Sequence, residues 1–211
     1  MTNFIPLFPL ALVAYPDEQL NLHIFEPRYK QLIQDCFKNK KTVGITAVIH
    51  NKMMEMGTLM QITEISKVYD DGRMDIKTQG LAVFKILEIV KELPDKLYGG
   101  AIVSYPTQYD DGKPSLMNKV LNNIKLLHKN LDISKNFNKP DAFLKSYDVA
   151  HHIGMSIEEE YQLLEYTHEL HRQEFLKRHL AKVLPVMAVM AELQKKIKLN
   201  GHFKNIEGFE L

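Results

Sequence analysis

Apolar residues recur at every second position through the first half of this sequence and at every third or fourth through the second, with the change near residue 112. Period two belongs to strands and period 3.6 to helices, so the chain is expected to be α+β, a β-rich domain over residues 1–112 followed by a helical one over 113–211. In KTVGITAVIH, residues Val43, Ile45, Ala47 and Ile49 share one phase, and Val48 makes the other face partly apolar as well, which suits a mostly buried strand. LMQITEISKVY and RMDIKTQG flank Asp70-Asp71-Gly72, whose Asp-Gly pair tolerates the positive φ of a hairpin turn. AVFKILEIV and GGAIVSYP supply two more β segments, separated by the turn-favouring ELPDKLYGG. Five or six strands with one early helix suggest a small, partly closed barrel.

That early helix begins in NLHIFEPRYKQLIQDC. Pro27 suits a first helical turn, where its missing N–H costs least, and Tyr29, Leu32, Ile33, Cys36 and Phe37 follow at helical spacing as one buried stripe. Cys36 belongs to that stripe, so it reads as an inert packed thiol. Glu26, Pro27, Arg28 and Tyr29 read as a structural junction, because a carboxylate and a guanidinium beside a helix start fix a chain turn more often than they move protons.

In the second half, Leu116, Val120, Ile124, Leu127 and Leu131 line one side of a helix. A second helix is expected over DAFLKSYDVAHHI, ending near Gly154, and Ser156 with Glu159 forms a capping box that starts a third. Thr167 is placed as the cap of a fourth, longer helix whose seam runs through Leu176, Leu180, Val183, Met187, Met190 and Ile197, bent at Pro185. The tail GHFKNIEGFEL has no sustained pattern.

Composition removes several function classes. The 211 residues are 45% hydrophobic and 25% charged, a globular balance, and the formal net charge is +1. Residues 1–110 carry one more acidic than basic side chain, so the field that nonspecific nucleic-acid binding uses is missing. A single cysteine forms no internal disulfide, the apolar N-terminus lacks a basic leader and is broken by Pro6, Pro9 and Pro16, and no run of about 20 apolar residues offers a membrane span. A cytoplasmic location is the expectation. Nine histidines raise a metal hypothesis, but adjacent His151-His152 diverge on a helix and His168, His171 and His179 do not give three convergent ligands. Phosphate-binding glycine loops, Gly-x-Ser-x-Gly and His-Glu-x-x-His are missing, and no cofactor is expected. The methionines are a different matter. Met53, Met54 and Met56 in NKMMEMG are placed between two strands as a candidate peptide-binding loop, since methionine's flexible chain accepts many shapes. The plainer reading, that they plug one end of the barrel, is the favoured one.

The segment PLFPLALVAYPDEQLNLHIFEPRYKQLIQDC resembles the N-terminal substrate-binding domain of ATP-dependent Lon proteases, with IFEPRY the most specific phrase. MGTLMQITEISKVYDDGRMDIKTQGLAVFKI and SYDVAHHIGMSIEEEYQLLE extend the likeness over nearly the whole chain. Departures occur at Pro16-Asp17, Asn21 and Val83-Phe84, where the family often has Pro-Gly, Pro and Arg-Phe. The resemblance implies a PUA-like β-domain followed by a helical bundle, with IFEPRY turning the chain into the first helix. It also implies recognition of unfolded polypeptide segments or of a dedicated protein partner, without catalysis, because Lon's ATPase and Ser-Lys proteolytic parts have no counterpart in these 211 residues. An adaptor or accessory role in proteolysis is the expectation. RNA binding, which PUA-like folds also perform, is the alternative, disfavoured by the charge balance.

Overall fold

The structure is a computed structural model that describes residues 3–134, 137 and 139–201. Its elements run β1 (Phe4–Leu10), β2 (Gln19–Ile24), α1 (Pro27–Lys38), β3 (Val43–Ile49), β4 (Lys52–Val68), β5 (Met74–Val90), β6 (Gly100–Ser104), α2 (Pro114–Asn130), α3 (Ser146–Val149), α4 (Ile157–Glu165) and α5 (Glu169–Gly201). The class is α+β. The tail from His202 lies outside the described residues.

Two compact units are present: residues up to Asp110 together with Met155–Glu169, and Asp111–Gly154 together with the chain from Leu170 onward. The chain crosses between them at Asp110/Asp111, Gly154/Met155 and Glu169/Leu170, not once as element order suggests. Packing differs in one segment, since α4 belongs with the strands. Two tyrosines explain this: the Tyr15 hydroxyl donates to the Glu160 carbonyl at 2.9 Å, and the Met56 N–H donates to Tyr161 Oη at 3.0 Å. Such partners are distant in sequence, so local pattern does not reveal them.

In the first unit the strand order is β2-β5-β4-β3-β1-β6, and β5 also pairs with β6, which closes the sheet. Among the described strand pairings, β1 with β3 is the parallel one. The hairpin between β4 and β5 turns at the Asp-Gly pair as expected: the Tyr69 N–H reaches the Arg73 carbonyl at 2.8 Å and Gly72 has φ of 76°. RMDIKTQG and AVFKILEIV, read as separate segments, form the single seventeen-residue β5. From Lys52 onward NKMMEMG is likewise strand, not loop. The turn before it is His50-Asn51, both with positive φ (49° and 61°), and Met53 already pairs with Val48.

Helix α1 buries Tyr29, Leu32, Ile33 and Cys36 on strands β1, β3, β4 and β5 through Phe8, Ile45, Met60 and Ile76. Phe37, expected in that stripe, is 42% exposed, because it sits about 100° around the helix from Cys36. A second cluster, formed by Ile5, Leu7, Phe84, Ala101 and Val103, fills the other part of the barrel. Burial pushes the Cys36 thiol up to about 11, which leaves almost no thiolate at neutral pH.

The second unit departs more from expectation. DAFLKSYDVAHHI is not one helix: a short turn over Asp141–Phe143 is followed by extended Leu144 and Lys145, then α3 and another turn over Ala150–His152. The chain does stop at Gly154, with φ of 72°, and the Ser156–Glu159 capping box forms in both directions. Helix α5 starts two residues after Thr167, and its Leu170 N–H is capped by Asp111 Oδ1 at 3.1 Å. Pro185 lies inside a continuous helix, where it removes the donor that would reach the Ala181 carbonyl. The α5 seam is buried at Leu176 and Leu180, but Met190 and Ile197 are exposed; in α2 the stripe ends at Leu127, with Leu131 also exposed. Histidines 128 and 179 are buried and bond the carbonyls of His152 and Ile153 at 2.9 and 3.1 Å.

Close backbone approach sets one test. A Cβ on Gly80 would sit 2.1 Å from the Tyr15 carbonyl oxygen, where the Tyr15–Glu18 turn folds onto β5. Gly80→Ala must move backbone, so a loss of about 2 kcal/mol or more is expected in urea unfolding. A loss under about 0.5 kcal/mol would contradict this packing.

Candidate functional site

Strand β5 ends at Val90, and the chain returns to β6 through residues 91–99. This connection is tied to α1 by two side chains. Gln31 Oε1 accepts the Leu97 N–H at 2.7 Å while its Nε2 donates to the Asp95 carbonyl at 3.2 Å. One turn on, Asp35 Oδ2 accepts from Lys96 Nζ at 2.8 Å and from the Tyr98 hydroxyl at 2.9 Å. Spacing of four residues puts Gln31 and Asp35 on one face of the helix, which is why both reach the same connection. Lys96 and then Tyr98 hold the Asp35 carboxyl below its ordinary range, and burial with the Asp35 charge raises Tyr98.

Between this connection, β1 and the start of α1 lies a cleft of about 200 Å³. Leu7 and Pro9 come from β1, Arg28 and Tyr29 from α1, Met53 from β4, Ile89 and Val90 from the end of β5, and Leu97 through Gly100 from the connection and β6. Gly99 and Gly100 add backbone to its lining and pack closely on their neighbours. A Cβ on Gly99 would sit 2.7 Å from the Val90 carbonyl oxygen, and one on Gly100 2.6 Å from that of Ile5. At the rim, Ile89 is 47% exposed and Leu97 65% exposed, two large apolar side chains in water beside a concave surface.

The cleft brings together Arg28, Tyr29 and Met53, three residues singled out separately in the sequence. Tyr29 is buried with its ring 4.3 Å from Phe8, and Arg28 lies 4.4 Å over the Tyr29 ring. Glu26 Oε2 accepts from Arg28 Nε and Nη2 at 2.9 and 2.8 Å, a pair open to solvent. Pro27 occupies the first turn of α1. Met53 is partly buried and also packs on the barrel cluster, so lining and plugging are the same position. Met54 is partly buried and is not among the residues of the cleft, whereas Met56 is buried. A bulge separates them: the register shifts between Thr46 and Val48, with Thr46 Oγ1 2.7 and 3.2 Å from the carbonyls of Met54 and Met56. Ile89, Leu97 and the Gly99-Gly100 pair escaped the sequence reading. Their signal was faint: a Gly-Gly pair next to two apolar residues in a turn-rich connection.

A profile of the ATP-dependent protease La (LON) substrate-binding domain matches residues 5–182. The chain belongs to the Lon substrate-binding domain family. Among curated relatives, a LON peptidase N-terminal domain and RING finger protein of Schizosaccharomyces pombe is 25% identical over 152 residues, 60% of this chain and 31% of that protein. The chain thus spans about a third of that relative's length. Among solved structures, a Lon N-terminal domain protein from Xanthomonas campestris superposes with a TM-score of 0.62 at 22% identity, covering 82% of this chain and 96% of the other. The N-terminal domain of a Mycobacterium avium complex Lon protease gives 0.62 at 12% identity, with 85% and 98% covered. Both likenesses show the Lon N-terminal fold. Among the described residues, no helix is long and apolar enough to cross a membrane, and no three His, Cys, Asp or Glu side chains group as metal ligands.

Asp35 allows a check on the connection. Because its folded pKa is depressed, the stabilisation it gives is fully present above the ordinary carboxylate range and is lost as pH falls through the lower folded value. Asp35→Asn is expected to lower stability by about 1 kcal/mol at pH 7, small because the site is partly solvated. Thermal melts of both forms should converge toward pH 3. A gap that stays constant across that range would show that Asp35 is not charged in this role.

Proposed function

We propose that this chain is a non-catalytic module that binds unfolded polypeptide segments, with the cleft around Tyr29, Met53, Ile89 and Leu97 as the contact. The observation that carries this reading is the exposed apolar rim beside a preformed concavity. An isolated Leu or Ile in water is ordinary, but two of them flanking a cleft offer both an apolar anchor and the surface to seat it. A volume of about 200 Å³ is below that of pockets for drug-sized ligands and suits one or two side chains of a chain passing over it. Family membership supports the same reading. An accessory or adaptor role in proteolysis, in the cytoplasm, is the use we favour for such a module.

Burial at about 25 cal/mol per Å², offset by the ordering of both partners, gives a short segment an affinity on the order of micromolar. The test is fluorescence anisotropy with a labelled, permanently unfolded polypeptide, comparing the protein with its Ile89→Ser, Leu97→Ser double variant. Both side chains are exposed, so the fold should persist, and Kd should rise about tenfold or more. Unchanged Kd would remove the cleft from the proposal, and failure of the unaltered protein to bind any unfolded polypeptide would remove the function. Moderate salt should change Kd little. A steep loss with salt, matched by binding of labelled RNA, would favour phosphate recognition instead.

A further inference from the structure

The charged side chains that line the cleft are both cations. Arg28 stands on the first turn of α1, Lys91 just past the end of β5, and neither Asp nor Glu lines the cleft. Lys91 is exposed and has no hydrogen-bond or ion-pair partner among the described residues. Arg28 is held from one side only: two of its N–H groups meet Glu26, while the guanidinium carries five such donors. Glu26 and the Tyr29 ring therefore orient the guanidinium and leave three donors without a protein partner. Of the neighbouring carboxylates, Glu26 is paired with Arg28 and Asp35 with Lys96, so the cations are the charges presented by the lining itself.

We infer that the cleft selects polypeptide segments in which the apolar anchor is flanked by internal Asp or Glu side chains, their carboxylates meeting Arg28 and Lys91. This rests on the reading of the cleft as a polypeptide site. A neutral segment laid over the rim takes water from two cations and returns nothing, whereas an acidic flank restores the lost hydrogen bonds as charge-assisted ones. A basic flank meets like charge. Because both cations keep access to solvent, the preference is moderate and salt-dependent, about three- to tenfold at low ionic strength. The two cations stand on different elements, at α1 and past β5, so an extended segment with carboxylates beside its anchor matches them better than one compact terminal group.

Three labelled peptides test this, identical in their apolar core, amidated at the C-terminus and flanked by Asp/Glu, by Asn/Gln or by Lys. Anisotropy titrations at low and moderate salt should rank the acidic peptide first by at least about threefold, with the gap closing as salt rises. In the Arg28→Gln, Lys91→Gln double variant, checked for an unchanged melting profile, the ratio of acidic to neutral affinity should fall to about one. Lys119→Gln, a surface cation on α2, should leave the ratio where it was. Equal binding of the three peptides, or a preference that survives the double variant, overturns the inference and leaves polypeptide binding standing. So does a preference lost equally in Lys119→Gln, which reports bulk charge. No binding of any peptide overturns both readings.

Discussion

Strand β5 hydrogen-bonds to three neighbours along its seventeen residues: β2 through its first half, β4 over most of its length and β6 at its end. A straight strand does not serve three partners in a closed sheet. The register shifts at Leu59/Met60, Ile62/Glu64 and Ile65/Lys67 against β4 and at Ile86/Glu88 against β6 let it bend from one to the next. Closure removes the free edge between β5 and β6 and delivers the chain at Val90 beside β1 and α1. The cleft exists because β5 stops there.

What stabilises the neighbourhood is different from what is visible on it. The Glu26–Arg28 pair is exposed on both sides, and such pairs contribute about 1 kcal/mol or less. Tyr29, Leu32, Ile33 and Cys36 beneath it are buried, and each large apolar side chain removed from water contributes about 1.5–3 kcal/mol. IFEPRY therefore joins two jobs at one turn: Tyr29 anchors the helix, and Arg28 points a cation at the cleft. On the far side, Gln31 and Asp35 fix the 91–99 connection to the same helix, so one element positions both walls.

Local chemistry was legible in the sequence, and tertiary partnership was not. Pro27, the Asp71-Gly72 turn, the Gly154 stop and the Ser156–Glu159 box each act within four residues, and each stands where the pattern put it. Errors arose wherever a distant group decides. The Met53–Met56 segment pairs as strand because His50-Asn51 turn tightly and Thr46 supports the bulge. Residues 155–169 join the strands through Tyr15 and Met56, and Asp111 rather than Thr167 caps α5. DAFLKSYDVAHHI breaks where Leu144 and Lys145 become extended. Of the cleft, Arg28, Tyr29 and Met53 were noticed for separate reasons, while Ile89 and Leu97 looked like ordinary strand and turn residues until the fold placed them side by side.

Binding at the cleft is the central claim, and backbone amide NMR tests it most directly. Titration of an unfolded, apolar-rich polypeptide into the isotope-labelled protein should shift the amides of Arg28, Met53, Ile89, Leu97, Gly99 and Gly100 together, saturating along one isotherm. Shifts confined instead to the outer strand β2 or to helix α5, with those six unmoved, would contradict the account.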